Sequence, residues 1–250
     1  IANLAMGGYG LDQALLRFLR EGRNLRPDDV WLGILPGSAL RVTTHFPPLL
    51  SHWNQVLAFK PRFELDGAGK LVFHRTPAGS QAQTLALLAD QAALFRAIGA
   101  SDHWIARSPL AYWPRGSSWT HRFAATRLAL TWHESLDREP APYLASRDAP
   151  VYRLLRALIL ELDQEARAIG ADLAIAFLPS RGDLAQVDDR GRGYWHLLSE
   201  DLTAIGFRCV DLAPALLAAG ALDDERYWMP RSHYSPLANA LVATTIESAW

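Results

Sequence analysis

Three short, largely apolar runs most constrain the fold of this chain. They are DDVWLGIL (28–35), ADLAIAFLP (171–179) and FRCVDL (207–212), and each has the length of a strand. Runs of this kind, without a polar residue at every second position, are typical of parallel strands covered on both faces. Amphipathic segments of helical period alternate with them. The pattern therefore predicts a mainly parallel sheet between two layers of helices.

The remaining elements follow from periodicity and from glycine or proline stops. Residues 1–6 predict a short strand, and 233–250 predict a turn followed by the last helix. Helices are predicted where apolar residues recur three and four positions apart, over 11–22, 80–99, 151–170 and 195–206. The expected class is α/β, a three-layer α/β/α sandwich.

Residues 37–148 interrupt this alternation and are rich in Trp, Pro and Arg. Within them, 56–77 predicts a β-hairpin around Asp66-Gly67. The aromatic stretch DHWIARSPLAYWP (102–114) either lines a substrate groove or packs a core. We expect a single domain over 1–250 with an insertion, 42–148, over the carboxyl edge of the sheet, where ligands enter open α/β sheets.

Composition excludes several classes of protein. The formal net charge of -1 lacks the basic excess that nucleic acid or an anionic membrane requires. Cys209 is the single cysteine, so no internal disulfide framework forms. The histidines show no metal-ligand spacing, and no phosphate or dinucleotide glycine motif is present, so we expect no metal and no cofactor. Because the sequence begins inside an apolar segment at Ile1, we expect a trimmed chain and predict no compartment.

Three stretches at predicted strand ends or turns carry residues suited to chemistry. MGGYG contains Gly8, whose N–H can approach an anion, and ILPGSALR contains Ser38. MPRSHYSPLAN contains His233 before a Ser-Pro helix start, where an imidazole can act as a general base. Each has a plainer alternative: a tight turn for Gly8, a cap for Ser38 and a solvated loop for His233.

The order of five stretches resembles the SGNH/GDSL hydrolase superfamily, which includes GDSL-like lipases, acylhydrolases and acetyltransferase-type domains. The resemblance covers residues 1–41 and 150–250. The stretches are NLAMGGYGLDQALLRFL, PDDVWLGILPGSALR, GADLAIAFLPSRGDL, GFRCVDLAP and HYSPLANALVA. It implies a flavodoxin-like sheet, a serine nucleophile and an ester or acyl substrate.

The resemblance assigns roles to individual residues. Gly8 matches the glycine whose N–H helps form the oxyanion hole, and His233 matches the base. Gly37 matches the glycine of the third family block, so that Ser38 stands where the family has an asparagine donor. Three neighbours of these positions are further candidates for substrate binding together with Gly37: Tyr9, Arg41 and Tyr234.

This chain departs from the family pattern at two places besides Ser38. Ala39 replaces the aspartate that follows the family's asparagine. The aspartate expected two or three residues before the histidine is also replaced, since Pro230 and Arg231 stand there. Without an orienting carboxylate the imidazole tautomer of His233 is less well fixed.

The family's Gly-Asp-Ser block, which carries the nucleophile, has no counterpart in this sequence. Residues 1–6 match the second strand of the family fold. We therefore expect the nucleophile strand upstream of Ile1, between the strands at 1–6 and 28–35. An upstream segment or a second chain would supply it and complete the sheet.

Three functions remain open at this point. The leading one is an ester or acyl hydrolase, or an acyltransferase, acting on a small-molecule, lipid or carbohydrate ester. The second keeps the fold without turnover, as a module that binds a glycan or an acyl group. The third makes Ser38 the nucleophile and His233 its base, although no G-x-S-x-G elbow surrounds Ser38.

Overall fold

The structure, a computed structural model, describes residues 1–50, 57–99, 101–105, 123–126, 128–129, 139–230 and 233–249. Most of the aromatic stretch 102–114 therefore lies outside the described residues. The chain divides into two compact units. The first contains Ile1–Leu4, Leu15–Ala39 and Pro140–Trp250, and the second contains Ala5–Ala14 and Leu40–Glu139.

The described residues form a mixed α/β structure. The strands, in chain order, are β1 (Asp29–Ile34), β2 (Arg62–Leu65), β3 (Leu71–His74), β4 (Asp172–Phe177), β5 (Arg208–Asp211), β6 (Trp228–Met229) and β7 (His233–Tyr234). The α-helices span Leu11–Arg20, Gln81–Ala89, Gln91–Ile98, Ala141–Leu144, Pro150–Arg167, Arg181–Arg190, His196–Ala204, Ala213–Ala218 and Pro236–Ser248. Short 3-10 helices span Gly22–Leu25, Pro36–Thr43, Pro47–Leu49 and Glu225–Tyr227.

A three-stranded parallel sheet in the order β1-β4-β5 forms the centre of the first unit. In the register, Ile175 of β4 lies between Leu32 of β1 and Cys209 of β5. All of β4 except its first residue is buried, because the helix Pro150–Arg167 and both neighbouring strands pack against it. The three apolar runs are thus confirmed as strands, and their parallel pairing is confirmed as well.

Strand β1 lies at one end of this sheet. It pairs with β4 along its whole length, from Asp29 opposite Asp172 to Ile34 opposite Phe177. Among the described strands it has no neighbour on its other side. Leu32 is buried, but most of its other residues are only half-buried or exposed, which is typical of an edge strand.

The longest helix, Pro150–Arg167, packs against β4. It begins with a proline at its first position, where no N–H is needed. Its buried residues recur at helical spacing and are Val151, Tyr152, Leu154, Leu155, Leu158, Ile159, Leu162 and Ala166. Among the described residues, no helix combines the length and the apolar composition needed to cross a lipid bilayer.

The second unit contains the predicted β-hairpin. Strands β2 and β3 are antiparallel, with Arg62 opposite His74 and Leu65 opposite Leu71. The Asp66 N–H donates to the Lys70 carbonyl at 2.9 Å, and the Asp66 carboxylate accepts from the Lys70 N–H. The hairpin around Asp66-Gly67 is therefore confirmed.

Two predicted elements differ in the structure. Residues 1–6 form no strand, because they are mostly exposed and pair with no described strand. The single helix predicted over 80–99 is two helices separated at Asp90. Asp90 has an extended backbone, and its carboxylate accepts from the Ala93 N–H at 2.9 Å. An aspartate that caps a new helix start in this way ends the preceding helix.

An ion pair connects the segment before the longest helix to the helix His196–Ala204. Arg147 donates to both Asp201 oxygens, at 2.7–2.9 Å, and the Tyr152 hydroxyl donates to the same carboxylate. The hydrogen bonds from Arg147 first, and from Tyr152 second, lower the pKa of Asp201 to about 2. Burial raises the pKa of Tyr152, so its hydroxyl stays a donor.

We expect the Arg147–Asp201 pair to stabilise the protein only modestly, because solvent screens an exposed pair. The pKa of Asp201 lies below the value of about 3.9 in an unfolded chain. Its contribution is therefore full above about pH 4 and is lost as pH falls towards 2. The midpoint temperatures of thermal unfolding of the wild type and of Arg147→Met should differ at pH 6 and become similar near pH 2.

Arg153→Met is the matched control, since Arg153 is an exposed arginine on the same helix as Tyr152. If the midpoint temperatures of Arg147→Met and the wild type differ by the same amount from pH 6 to pH 2, the stabilising role given to the Arg147–Asp201 pair is wrong.

Candidate functional site

The carboxyl ends of three parallel strands lie at one edge of the sheet in the first unit. Strand β1 continues directly into the 3-10 helix Pro36–Thr43, β4 into Pro179 and Ser180, and β5 ends at Asp211. In open parallel sheets this edge is where ligands bind. The loops there determine which side chains meet.

Ser38 lies in the first turn after β1. Its N–H donates to the Leu35 carbonyl at 2.9 Å, and its hydroxyl donates to the same oxygen at 2.8 Å. Both donors therefore close the turn that follows the strand, which is the capping role of a serine. The hydroxyl would have to rotate away from Leu35 before it could donate to a substrate.

Gly37 lies beside a buried carboxylate. A side chain at Gly37 would place its Cβ 3.8 Å from Asp183 Oδ2 and 3.9 Å from the Tyr194 hydroxyl. Asp183 accepts from the Tyr194 hydroxyl at 2.7 Å and from the N–H and hydroxyl of Ser180 at 2.8 Å each. Three donors thus fix this carboxylate next to the turn after β1.

The sequence analysis missed Asp183 and Tyr194, although one signal was present. The run Ser180-Arg181-Gly182-Asp183 has the spacing of a capping box, and the structure shows one at the start of the helix Arg181–Arg190. No pattern in the sequence indicates that Tyr194, eleven residues later, reaches back to Asp183.

Tyr234 connects the histidine segment to the end of β4. Its hydroxyl donates to the Pro179 carbonyl at 2.7 Å, and its ring contacts that of Trp228 with centroids 5.4 Å apart. Burial, together with the carboxylates of Asp183 and Asp211, raises the pKa of Tyr234. The predicted residues Gly37 and Tyr234 thus both border the segment Pro179–Asp183.

His233 immediately precedes Tyr234 in β7 and pairs with Met229 of β6. Its imidazole is exposed, and it has no hydrogen bond to another described residue. The acidic residues upstream do not orient it: Asp224 binds Arg226, and Glu225 lies 3.9 Å from Arg181. Within the described part of the chain, no carboxylate takes the role of the family's missing aspartate.

Asp211 is a second carboxylate at this edge that the sequence analysis missed. It accepts from Trp195 Nε1 at 3.0 Å and from the Ala213 N–H at 2.9 Å. Burial raises its pKa, and the two hydrogen bonds oppose that change. Its partner Trp195 is almost fully buried. The hydrogen bond between them therefore serves mainly to position Asp211 and the end of β5.

In the second unit, Gly8 lies in a tight turn. The Tyr9 N–H donates to the Met6 carbonyl at 3.3 Å, which makes Gly8 the third residue of the turn. Its φ of 84° is the left-handed value that a type II turn requires there. Gly8 is exposed, and its own N–H has no hydrogen bond to a described residue.

Arg41 fixes the position of this turn. Its Nη1 donates to the Tyr9 carbonyl at 3.1 Å. Burial lowers the pKa of Arg41, although the guanidinium remains charged. Gly10 packs against Arg41: a Cβ at Gly10 would lie 3.1 Å from that of Arg41 and 2.6 Å from Asp12 Oδ1. The first unit carries Gly37, Ser38, His233 and Tyr234, and the second carries Gly8, Tyr9 and Arg41, so the meeting of the two groups stays a prediction.

The chemistry available at the sheet edge is that of an exposed imidazole, a serine hydroxyl and hydrogen-bonded carboxylates. Among the described residues, no three His, Cys, Asp or Glu side chains are arranged to bind a metal ion. An imidazole can take up and release a proton near neutral pH.

We expect Tyr234→Phe to lower the free energy of unfolding by about 1 kcal/mol, because the Pro179 carbonyl loses its hydrogen bond. Urea unfolding measures the change. The control is Tyr227→Phe, since the Tyr227 hydroxyl has no hydrogen bond to a described residue. Equal losses in the two variants would contradict the role given to Tyr234.

Comparison with known proteins gives no match. No family model matches the chain, and neither a curated protein nor a solved structure matches it. The resemblance to the SGNH superfamily therefore rests on the residues themselves.

Proposed function

We propose that this chain belongs to an SGNH-type acyl hydrolase or acyltransferase. The proposed architecture is a three-layer α/β/α sandwich with a flavodoxin-like sheet. The observation that carries the proposal is the hydrogen bond of the Tyr234 hydroxyl to the Pro179 carbonyl at 2.7 Å. It ties the segment bearing His233 to the carboxyl end of the central strand, where a base for such a reaction belongs.

In the proposed reaction, a serine upstream of Ile1 attacks the carbonyl carbon of an ester. His233 accepts the serine proton and returns it to the leaving alcohol as the acyl–serine bond forms and the ester bond breaks. Water, or an acceptor alcohol in a transferase, then attacks the acyl carbon and gives its proton to His233, which returns a proton to the serine oxygen as the acyl–serine bond breaks. The exposed position of the His233 imidazole suits this proton transfer.

The Gly8 N–H is the proposed donor to the oxyanion, and Ser38 is a second donor once its hydroxyl leaves the Leu35 carbonyl. The exposed Gly8 N–H is consistent with this role. Tyr9, Arg41, Gly37 and Tyr234 are the proposed substrate-binding residues. The substrate is a small-molecule, lipid or carbohydrate ester, without nucleic acid or a cofactor.

The edge position of β1 supports the proposed source of the nucleophile. Its side away from β4 has no partner among the described strands, so a further parallel strand could pair there. We propose that an upstream segment or a second chain supplies that strand.

A second candidate function is a module that binds a glycan or an acyl group without turnover. Two observations favour it: the Ser38 hydroxyl is bonded to Leu35, and the His233 imidazole has no orienting hydrogen bond to a described residue. A fluorophosphonate probe separates the two functions, because it labels an activated serine. Labelling of the full-length natural protein supports the hydrolase, and no labelling supports the binding module.

We expect His233→Ala to lower the rate of p-nitrophenyl acetate hydrolysis by the full-length natural protein about 10²- to 10⁴-fold, the usual contribution of a general base. The control is His196→Ala, since His196 Nδ1 bonds only the nearby Gly193 carbonyl. A full rate in His233→Ala would refute the base assignment. Loss of probe labelling in Ser38→Ala would instead make Ser38 the nucleophile.

A further inference from the structure

Gly10 marks the start of the helix that follows the Gly8 turn. Its carbonyl accepts from the N–H groups of Gln13 and Ala14 at 3.1 Å each, and its N–H donates to Gln13 Oε1 at 3.3 Å. The contacts of Gly10 with Asp12 and Arg41 leave no room for a side chain. The position of the turn Met6–Tyr9 therefore depends on the first residues of the helix.

A buried ion pair lies directly beneath this helix start. Asp12 is 0% exposed and Lys60 is 4% exposed, and Lys60 Nζ donates to Asp12 Oδ2. The other carboxylate oxygen accepts from the Gln13 N–H at 2.9 Å. Removing one partner of such a pair leaves an uncompensated charge in the interior.

The backbone at Lys60 is itself fixed. The Lys60 N–H donates to the His45 carbonyl at 2.8 Å, and His45 Nδ1 donates back to the Lys60 carbonyl at 2.9 Å. Burial lowers the pKa of His45 to about 4, so the ring is neutral at physiological pH. The His45 N–H in turn donates to the buried Asp102 carboxylate.

Asp102 connects two chain segments within the second unit, the one around His45 and its own. Besides the His45 N–H, it accepts from the Thr44 hydroxyl at 2.8 Å and from the Trp104 N–H at 2.9 Å. A continuous series of hydrogen bonds and one ion pair thus runs from Asp102 through His45 and Lys60 to Asp12 and the helix start. The Gly8 turn directly precedes that helix start in the chain.

We propose that Lys60 is a positioning residue, which fixes the Gly8 N–H in the orientation needed for the oxyanion through its ion pair with Asp12. The inference rests on the proposed function, in which Gly8 is that donor. The helix start would form without Lys60, but its position relative to the rest of the unit would be less well determined.

The first experiment requires no catalysis. The Tyr9 and Gly10 N–H groups, within residues 6–10, are hydrogen-bonded and can report on this position. Their hydrogen exchange, followed by mass spectrometry on the full-length natural protein, compares the wild type with Lys60→Met. Because Lys60→Met leaves the Asp12 carboxylate unpaired, Asp12→Leu/Lys60→Met is the second variant, with no buried charge left over. The control is Leu94→Ala, which removes a buried apolar side chain of the same unit. We expect exchange about tenfold faster in both Lys60 variants than in the control.

The second experiment measures p-nitrophenyl acetate hydrolysis by the same variants. A displaced oxyanion donor lowers kcat by about 10- to 100-fold and changes KM little, because it acts in the transition state. Lys60→Arg, which keeps the charge, should recover part of kcat. Unchanged exchange at 6–10 in the double variant, or faster exchange with unchanged kcat, would overturn the role of Lys60. An inactive wild type would overturn the proposed function instead.

Discussion

The burial of strand β4 after its first residue is the constraint on which the first unit depends. Ile175 and Phe177 have no exposed surface, and β1 and β5 pair with β4 in parallel on either side. Parallel pairing places the ends of all three strands at one edge, so the residues after them become neighbours whatever their distance in sequence. Gly37 follows β1 and Asp183 follows β4, and they are neighbours for this reason. Tyr234 belongs to β7 and reaches the same edge through its hydroxyl, which donates to the Pro179 carbonyl.

The second unit depends on a different kind of interaction. Its interior contains the charged groups of Asp12, Lys60, Arg62 and Asp102. Burying such groups costs free energy, which ion pairs and several hydrogen bonds to each carboxylate offset. Asp12, Lys60 and Asp102 have hydrogen-bond partners, whereas Arg62 Nε is buried without one among the described residues. Satisfied members of such a network favour one geometry over alternatives. The helix start at Gly10, which follows the Gly8 turn, lies at one end of it.

Each unit positions one of the residues in the proposed reaction. The proposed base, His233, is on a segment that a tyrosine hydroxyl joins to the sheet edge. The proposed oxyanion donor, Gly8, is on a turn that Arg41 contacts through the Tyr9 carbonyl. Catalysis by such a site depends on prearranged donors rather than on strong single interactions. A binding module would need hydrogen-bond donors that are positioned equally well. Measurements of turnover and probe labelling therefore distinguish the two functions.

The sequence by itself determined the strands β1, β4 and β5, their parallel pairing, the hairpin around Asp66-Gly67 and the longest helix, because the spacing of apolar residues reflects local structure. The burial expected for all three strands is nearly complete only in β4. It also singled out Gly8, Ser38 and His233 from their turns. Only the tertiary structure showed that residues 1–6 pair with no described strand, and that Ser38 closes its own turn on Leu35. The partners Asp183, Tyr194 and Lys60 likewise emerged only from the structure. Contacts between residues far apart in the chain depend on how the elements pack, and the local sequence pattern contains no record of that.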